Sequence, residues 1–172
     1  MYRISPATLA DVPALTGLVN SAYRGEKSKA GWTTEADLIS GEIRIDEEEL
    51  EQQISNQSVT LLLYRNDEGV PLGSVYLERR DKRIYLGLLS VQPALQGTGI
   101  GKKLLTAAEA FAKENNCDSI FMTVILQRTE LVDWYVRHGY LHTGEKKPFP
   151  TGKKFGEALV PLEFVVLEKM LK

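Results

Sequence analysis

The chain reads as an α/β (α+β) protein, with a mixed central sheet of about six to seven strands and helices on both faces. Three observations predict it. Apolar runs of strand length alternate with stretches of helical apolar spacing along all 172 residues. Three strand-like runs between Val59 and Val91 follow one another through short polar turns. A glycine-rich turn, Gln96-Gly97-Thr98-Gly99-Ile100-Gly101, then joins the last of these runs to an amphipathic helix.

The elements follow in order. Tyr2 to Ser5 is a short strand, and Thr8 opens a helix with Asp11 in the capping-box place. Val12, Leu15, Leu18, Val19, Ala22 and Tyr23 recur at helical spacing. Arg24 to Gly31 is polar, and a second helical stretch is expected over Thr34 to Ser40. Asp46 caps an acidic helix to Asn56 whose sparse apolar stripe is Leu50 and Ile54, a solvated face rather than a binding patch. Strands follow over Val59–Arg65, Pro71–Arg79 and Ile84–Val91, with turns at Asn66–Gly69 and Arg80–Arg83. The helix from Gly101 to Asn115 turns Leu104, Leu105, Ala108, Phe111 and Ala112 to the core. Ser119 to Leu126 is a buried strand, and a helix from Glu130 to His138 ends at Gly139, well placed as a left-handed cap. Tyr140–Glu145 and Leu159–Leu171 are the last strands. The basic loop between them, Lys146 to Ala158, is long enough to suggest a function.

The glycine-rich turn carries the chemistry. It aims several backbone N–H groups at one point, at the positive end of a helix dipole, which suits a phosphate or pyrophosphate. The Walker pattern fails, with Gln96 where its first Gly belongs and Lys103 where Ser or Thr belongs. The dinucleotide pattern fails because Lys102 stands in place of the third Gly. What fits is Gln96-x-x-Gly99-x-Gly101, preceded by Leu89-x-Val91-x-Pro93. This resembles the acyl-CoA signature of the GCN5-related N-acetyltransferases, the GNAT superfamily. The order of elements is similar from end to end. Arg3-Ile4-x-x-Ala7-Thr8-x-x-Asp11 resembles the opening of many members, and Asp133-Trp134-Tyr135-Val136-Arg137-His138-Gly139-Tyr140 resembles the family's late aromatic element.

The resemblance implies the GNAT fold, acetyl-CoA as cofactor, and a set of site residues. Gly97, Thr98, Gly99, Ile100, Gly101 and Lys102 would offer backbone N–H groups to the pyrophosphate. Lys102 or Lys103 adds charge there, or forms a solvated first turn. Leu89, Ser90 and Val91 end a strand that splays from its neighbour in the family, and an N–H near Leu89 or Val91 would polarise the thioester carbonyl. Tyr135 would be the general acid, since a phenol is protonated at neutral pH and can donate to a departing thiolate. Trp134 beside it reads as core. Arg128 stands where many members carry Asn, and reaches the cofactor or is solvated; Leu131 stands in place of a common small residue. For the base, Glu78 is one candidate, Glu42 another and His142 a third, each also readable as an ordinary surface group. By family analogy the acceptor is lined by Tyr23, Arg24, Trp32, Thr33, Thr34 and Phe149, with Trp32 and Phe149 flanking it near the acyl end.

Length and composition add bounds. One domain with a full core is expected over residues 1–172. A net charge of −2 argues against nucleic acid or a membrane surface as the main partner. The start, Met1-Tyr2-Arg3-Ile4-Ser5-Pro6, is not a signal peptide, and no apolar run approaches membrane-spanning length. Cys117 is the single cysteine, so no intramolecular disulfide forms and a cytoplasmic location is expected. Two histidines and that cysteine, scattered in sequence, make no metal cluster. The leading expectation is acetylation of a primary amine of a small molecule or amino acid. Acetylation of a protein N-terminus or lysine is the alternative enzyme, and a non-catalytic acyl-CoA-binding module the alternative class. These residues fix neither the acceptor nor the oligomeric state, with which a homodimer is compatible.

Overall fold

Seven strands form one sheet in the order β1-β2-β3-β4-β5-β7-β6 in the computed structural model, which describes residues 2–150 and 154–172. They are β1 (Arg3–Pro6), β2 (Val59–Arg65), β3 (Pro71–Arg80), β4 (Arg83–Val91), β5 (Ser119–Ile125), β6 (Leu141–Pro148) and β7 (Glu163–Met170). The helices are α1 (Val12–Tyr23), α2 (Gly25–Ser28), α3 (Glu47–Ser55), α4 (Ile100–Glu114) and α5 (Thr129–Arg137). β4 and β5 run parallel and every other pair antiparallel, so the sheet is mixed, as expected.

Alternation along the central strands builds two cores. On β2, Leu62 joins α4 and α5 on one face, while Leu61 and Leu63 join α1 and α3 on the other. Val75, Leu77, Ile84 and Leu86 extend the first core, where Leu104, Leu105, Ala108 and Ala112 of α4 meet them. Strands buried on both faces read as near-continuous apolar runs, which is why β2 was visible as Val59–Arg65. The helix starts are set by carboxylates. Asp46 accepts the Glu49 N–H at 2.8 Å. Asp11 accepts the Thr8 N–H at 2.8 Å and takes both arms of Arg65 at 2.8 Å, and that hydrogen-bonded guanidinium holds its carboxyl down to about 2. Gly139, at φ +95°, ends α5 in the left-handed region. Among the described residues no helix is long and apolar enough to cross a membrane.

Two segments differ from expectation. Thr34 to Ser40 is not a helix. Thr34 Oγ1 accepts the Ala36 N–H at 2.9 Å, as a helix cap would, but the chain closes only a turn on the Glu35 carbonyl, and Ile39 bridges to Ala158. Glu35 is drawn inward into a buried ion network and Ile39 is buried, so tertiary contacts override local preference. A single helical turn, α2, forms in the polar stretch just upstream. The late loop is displaced along the chain, because β6 runs on through Pro148 and β7 begins only at Glu163. Part of that expected loop, residues 151–153, lies outside the described residues. The part after it is tied to the turn near Ser40: Ser40 N–H donates to the Glu157 carbonyl at 2.9 Å and Leu159 N–H to the Leu38 carbonyl at 2.8 Å.

The feature that positions the site is the parting of β4 from β5. Their ladder holds only three pairs, Arg83↔Ser119, Ile84↔Ile120 and Tyr85↔Phe121. That end is reinforced by an arginine–aromatic cluster. Arg80 lies 4.4 Å from the Tyr85 ring centroid, Arg83 lies 4.1 Å from that of Phe121, and the two rings meet edge to face at 5.4 Å. Past Tyr85 the strands separate. On its other side β4 bulges, so that Leu88 and Leu89 together oppose Val75 of β3, with Leu88 at φ +48°. A non-glycine residue held there is backbone strain kept beside a cavity.

Candidate active site

Two cavities meet at the gap left by the splay. The first is a cleft of about 280 Å³ between the glycine-rich turn and α5. Leu89, Val91, Gln96, Gly97, Gly99, Gly101 and Lys102 line it, together with Trp32, Thr33, Leu131, Trp134 and His138. Gly97 and Gly99 have φ of +85° and +96°, and no heavy atom lies within 4 Å of where a Cβ would stand. Both therefore take a conformation glycine adopts freely, and both keep the cleft floor open. Gly101 serves another purpose: a Cβ there would lie 3.3 Å from the Trp134 ring, which packs over it.

The N–H groups of Gly97, Gly99, Ile100, Gly101 and Lys102 find no acceptor among the described residues, as at the open start of a helix. Thr98 departs from expectation. Its N–H is committed to the Leu95 carbonyl at 3.3 Å, and its hydroxyl donates to the same oxygen at 2.6 Å. Ile100 turns its side chain into the core, leaving only its main chain at the cleft. Ser90 is also turned away, donating to the Leu88 carbonyl at 3.0 Å, because neighbouring strand residues face opposite sides. Lys103 points its ammonium at the Tyr2 ring, 4.3 Å from the centroid, on the far side of α4.

The second, inner cavity holds about 250 Å³ and shares Leu89 and Leu131 with the cleft. Tyr23, Glu35, Arg44, Tyr85, Thr123, Arg128 and Tyr135 are its polar lining. Tyr23 donates to the Leu89 carbonyl at 3.1 Å, and burial pushes its hydroxyl up to about 12. Tyr135 is 4% exposed; burial raises its hydroxyl well above the ordinary phenol value, the nearby Tyr23 adding to the effect. Tyr135 thus stays protonated while its ring packs edge to face on Trp134 at 5.1 Å and Tyr140 at 5.9 Å. A third, outer cavity of about 290 Å³ lies beyond, lined by Arg24, Glu35, Arg44, Phe149, Lys154 and Phe164 among others.

A buried ion network walls the inner cavity. Glu35 accepts from Arg24 Nε at 2.9 Å and from Arg128 at 3.1 Å, each side chain under a tenth exposed. Arg24 also donates to the carbonyls of Ile43 and Phe155. Arg128 also donates to the Thr33 hydroxyl at 2.9 Å, and that hydroxyl in turn donates to Glu130 at 2.9 Å. The network corrects the expectation for Arg128. Its guanidinium belongs to this wall and not to the cleft, because Glu35 holds it on the opposite side of Thr33. Gln96 is likewise engaged: its side chain accepts the Thr33 N–H at 3.1 Å and donates to the Val91 carbonyl at 3.3 Å. It pins the segment carrying Trp32 and Thr33 against the glycine-rich turn.

Other expectations separate. Trp32, half exposed, lines the cleft, whereas Phe149 lines the outer cavity against Phe164 at 5.5 Å. The two do not flank one cavity, since the ion network stands between them. Thr34 pairs its hydroxyl with Ser28. Glu78 lies outside all three cavities and is paired with Arg80 at 2.7 Å, because its register opposite Tyr85 puts it at the closed end of the splay. Glu42 and His142 are exposed and line none of them. Sequence reasoning missed Glu35, Arg44 and the cleft-facing role of Trp134. For Trp134 a signal existed, the glycine at 101 in the first turn of α4, whose missing Cβ leaves room for a ring. For Glu35 and Arg44 there was none, since their partners are distant in sequence.

Comparison with known proteins agrees with this architecture. Residues 40–150, well over half of the chain, match the family described as Acetyltransferase (GNAT) domain. Acetyltransferase Atu2258 of Agrobacterium fabrum (strain C58) is 28% identical over 89 residues; that match covers 52% of this chain and 64% of the relative, less than two thirds of its length. Three solved structures share the fold at low identity. They are a GNAT-family acetyltransferase of Staphylococcus aureus Mu50 (TM-score 0.71, 20% identity, 100% of each chain), the PaiA N-acetyltransferase of Thermoplasma acidophilum in complex with coenzyme A (0.75, 20%, 99% of each), and the ribosomal-protein-S18-alanine N-acetyltransferase of Escherichia coli (0.74, 12%, 100% of this chain and 95% of that one). With a glycine-rich turn opening α4, a splayed β4–β5 pair and a family match across both, the chain belongs to the GNAT acetyltransferase family.

Proposed function

We propose that the protein is an N-acetyltransferase that moves an acetyl group from acetyl-CoA to a primary amine of a small molecule or amino acid by direct attack. The observation that carries this is that the cleft and the inner cavity share Leu89 and Leu131 in their linings, with a buried Tyr135, kept protonated by that burial, lining the inner one. The cleft fits the cofactor by its own chemistry. Five N–H groups without acceptors converge at the positive end of α4 over two left-handed glycines whose Cβ positions are empty. The similar PaiA fold was solved with coenzyme A.

Acetyl-CoA supplies the acetyl thioester when bound. Gly97, Gly99, Ile100, Gly101 and Lys102 would hold its pyrophosphate through their main chain. The β4 main chain at Leu89–Val91, released from β5, offers an N–H to the thioester carbonyl and stabilises the charge that develops there. Tyr135 holds a proton at its hydroxyl for the sulfur. Tyr23 fixes the Leu89 carbonyl, so the reacting edge of β4 is held still. Among the described residues Glu35 is the sole carboxylate lining the inner cavity, and both its oxygens are on arginines. The acceptor nitrogen therefore releases its proton to solvent, and the proton count closes because the sulfur gains one. The segment at 155–159, strapped over the turn at Ser40, favours a small acceptor over a protein terminus or lysine. We read the chain as one domain acting in the cytoplasm, with Cys117 buried and unpaired.

The test is acetyl-CoA consumption in the presence of a panel of amines, with free thiol as the readout. Release of thiol dependent on an amine supports the reading. Tight coenzyme A binding with no turnover of any amine would leave the non-catalytic module in its place. Trp32→Ala offers a sharper check on the corrected geometry. Because Trp32 borders the cleft, its loss is expected to raise the KM for acetyl-CoA several-fold, the scale of one lost aromatic contact, while the acceptor KM moves little. The opposite split would put Trp32 on the acceptor.

A further inference from the structure

Among the described residues, four cations and one carboxylate line the inner and outer cavities: Arg24, Arg44, Arg128 and Lys154 against Glu35. Three of the cations have partners. Arg24 and Arg128 share Glu35, and Lys154 lies 3.8 Å from Asp46. Arg44 has no carboxylate within ion-pair distance among the described residues; its guanidinium faces the Tyr23 ring, 5.7 Å from the centroid. It is half buried and borders both cavities, so it is reachable by a ligand and partly withdrawn from water. An unpaired charge in such a place is unfavourable until an anion joins it. A guanidinium presents its donors as a planar fork that matches a carboxylate.

Position adds to charge. Tyr23 spans the cavity, with its ring under Arg44 and its hydroxyl on the Leu89 carbonyl. Arg44 is thus one tyrosine side chain away from the strand edge where the acetyl group is delivered. Ile125 and Phe164, shared by both cavities, leave an apolar wall beside that line. We propose that the acceptor is a free amino acid whose carboxylate seats on Arg44 while its amine reaches Leu89. This rests on the acetyltransferase reading above and names its substrate class.

The experiment compares the twenty L-amino acids with their carboxamides, by turnover and by calorimetric titration of the coenzyme A-loaded protein. A carboxamide has the less basic amine and so a larger neutral fraction, which favours it wherever no anion seat exists. The expected result is an acid preferred over its amide at least about tenfold in kcat/KM. In Arg44→Gln that ratio should fall about tenfold to a hundredfold, the scale of a charge-assisted hydrogen bond. Arg44 lies outside the buried ion network, and circular dichroism would verify the folded variant. Amines that turn over with no preference for any acid would overturn the seat while leaving the acetyltransferase reading intact. An acid preference that survives Arg44→Gln would overturn it as well. Acids that bind through Arg44 without turnover would support the seat and refute the catalytic reading. Neither binding nor turnover would sink both.

Discussion

Tyr135→Phe is expected to lower turnover about a hundredfold or more, the usual scale for removing a positioned general acid. The substitution deletes one oxygen and keeps the ring, so the edge-to-face contacts with Trp134 and Tyr140 persist. Acetyl-CoA affinity and the melting midpoint should therefore barely move. The pH profile supplies a second readout. Burial raises the Tyr135 hydroxyl well above its ordinary value, so its acid form is complete at neutral pH and is lost only as pH rises through that raised value. Wild-type turnover should climb from pH 7 to 9 as the acceptor amine loses its proton, with no fall caused by Tyr135. A Phe variant as fast as wild type, with chemistry rate-limiting, would return Tyr135 to the core as a packing residue.

Gly99→Val acts on the other half of the reaction. Gly99 is at φ +96°, a region a β-branched residue occupies only under strain of about 1–3 kcal/mol. The surrounding space is empty, so no neighbour is displaced and the chain should still fold with a lowered midpoint. What changes is the start of α4: either the valine stands in the cleft or the backbone leaves the left-handed region and turns its N–H groups away. Acetyl-CoA affinity should drop about a hundredfold or more, since each charge-assisted hydrogen bond contributes about 1.5–3 kcal/mol. Calorimetric titration of the folded variant measures it. Unaltered affinity would remove the glycine-rich turn from the cofactor site and with it the basis of the functional reading.

What was legible in the sequence was local. Strand runs at Val59–Arg65 and Ser119–Ile125, the cap at Asp46, the glycine ending α5 and the turn at Gly97–Gly101 each depend on a few adjacent residues, and each stands near where the pattern put it. The turn side of the cleft, Gln96 to Lys102, followed because the glycine-rich turn is itself a local motif; the wall made by Trp32, Thr33, Trp134 and His138 did not. The acceptor side was not legible. Glu35 bonds Arg24 across 11 residues and Arg128 across 93, and that triad unwinds the expected helix at Thr34–Ser40. The same triad keeps Arg128 out of the cleft and separates Trp32 from Phe149. Glu78 failed for a related reason: strand register, which decides which end of the splay a residue occupies, follows from pairing with Tyr85 and not from the residue itself. Ion networks and registers couple positions that carry no mutual signal along the chain.

The short β4–β5 ladder has a mechanical meaning. Between the N-terminal block of four strands and the C-terminal block of three, every inter-strand bond lies at the end away from the cleft, where Arg80 and Arg83 clasp Tyr85 and Phe121. The sheet is jointed there like a pair of tongs. Widening the gap by moving β5 breaks no ladder bond, while Tyr23 keeps the β4 edge at Leu89 in place. Stiffness resides in the clasp, and a change at Phe121, which lines none of the three cavities, would alter the grip of the jaws.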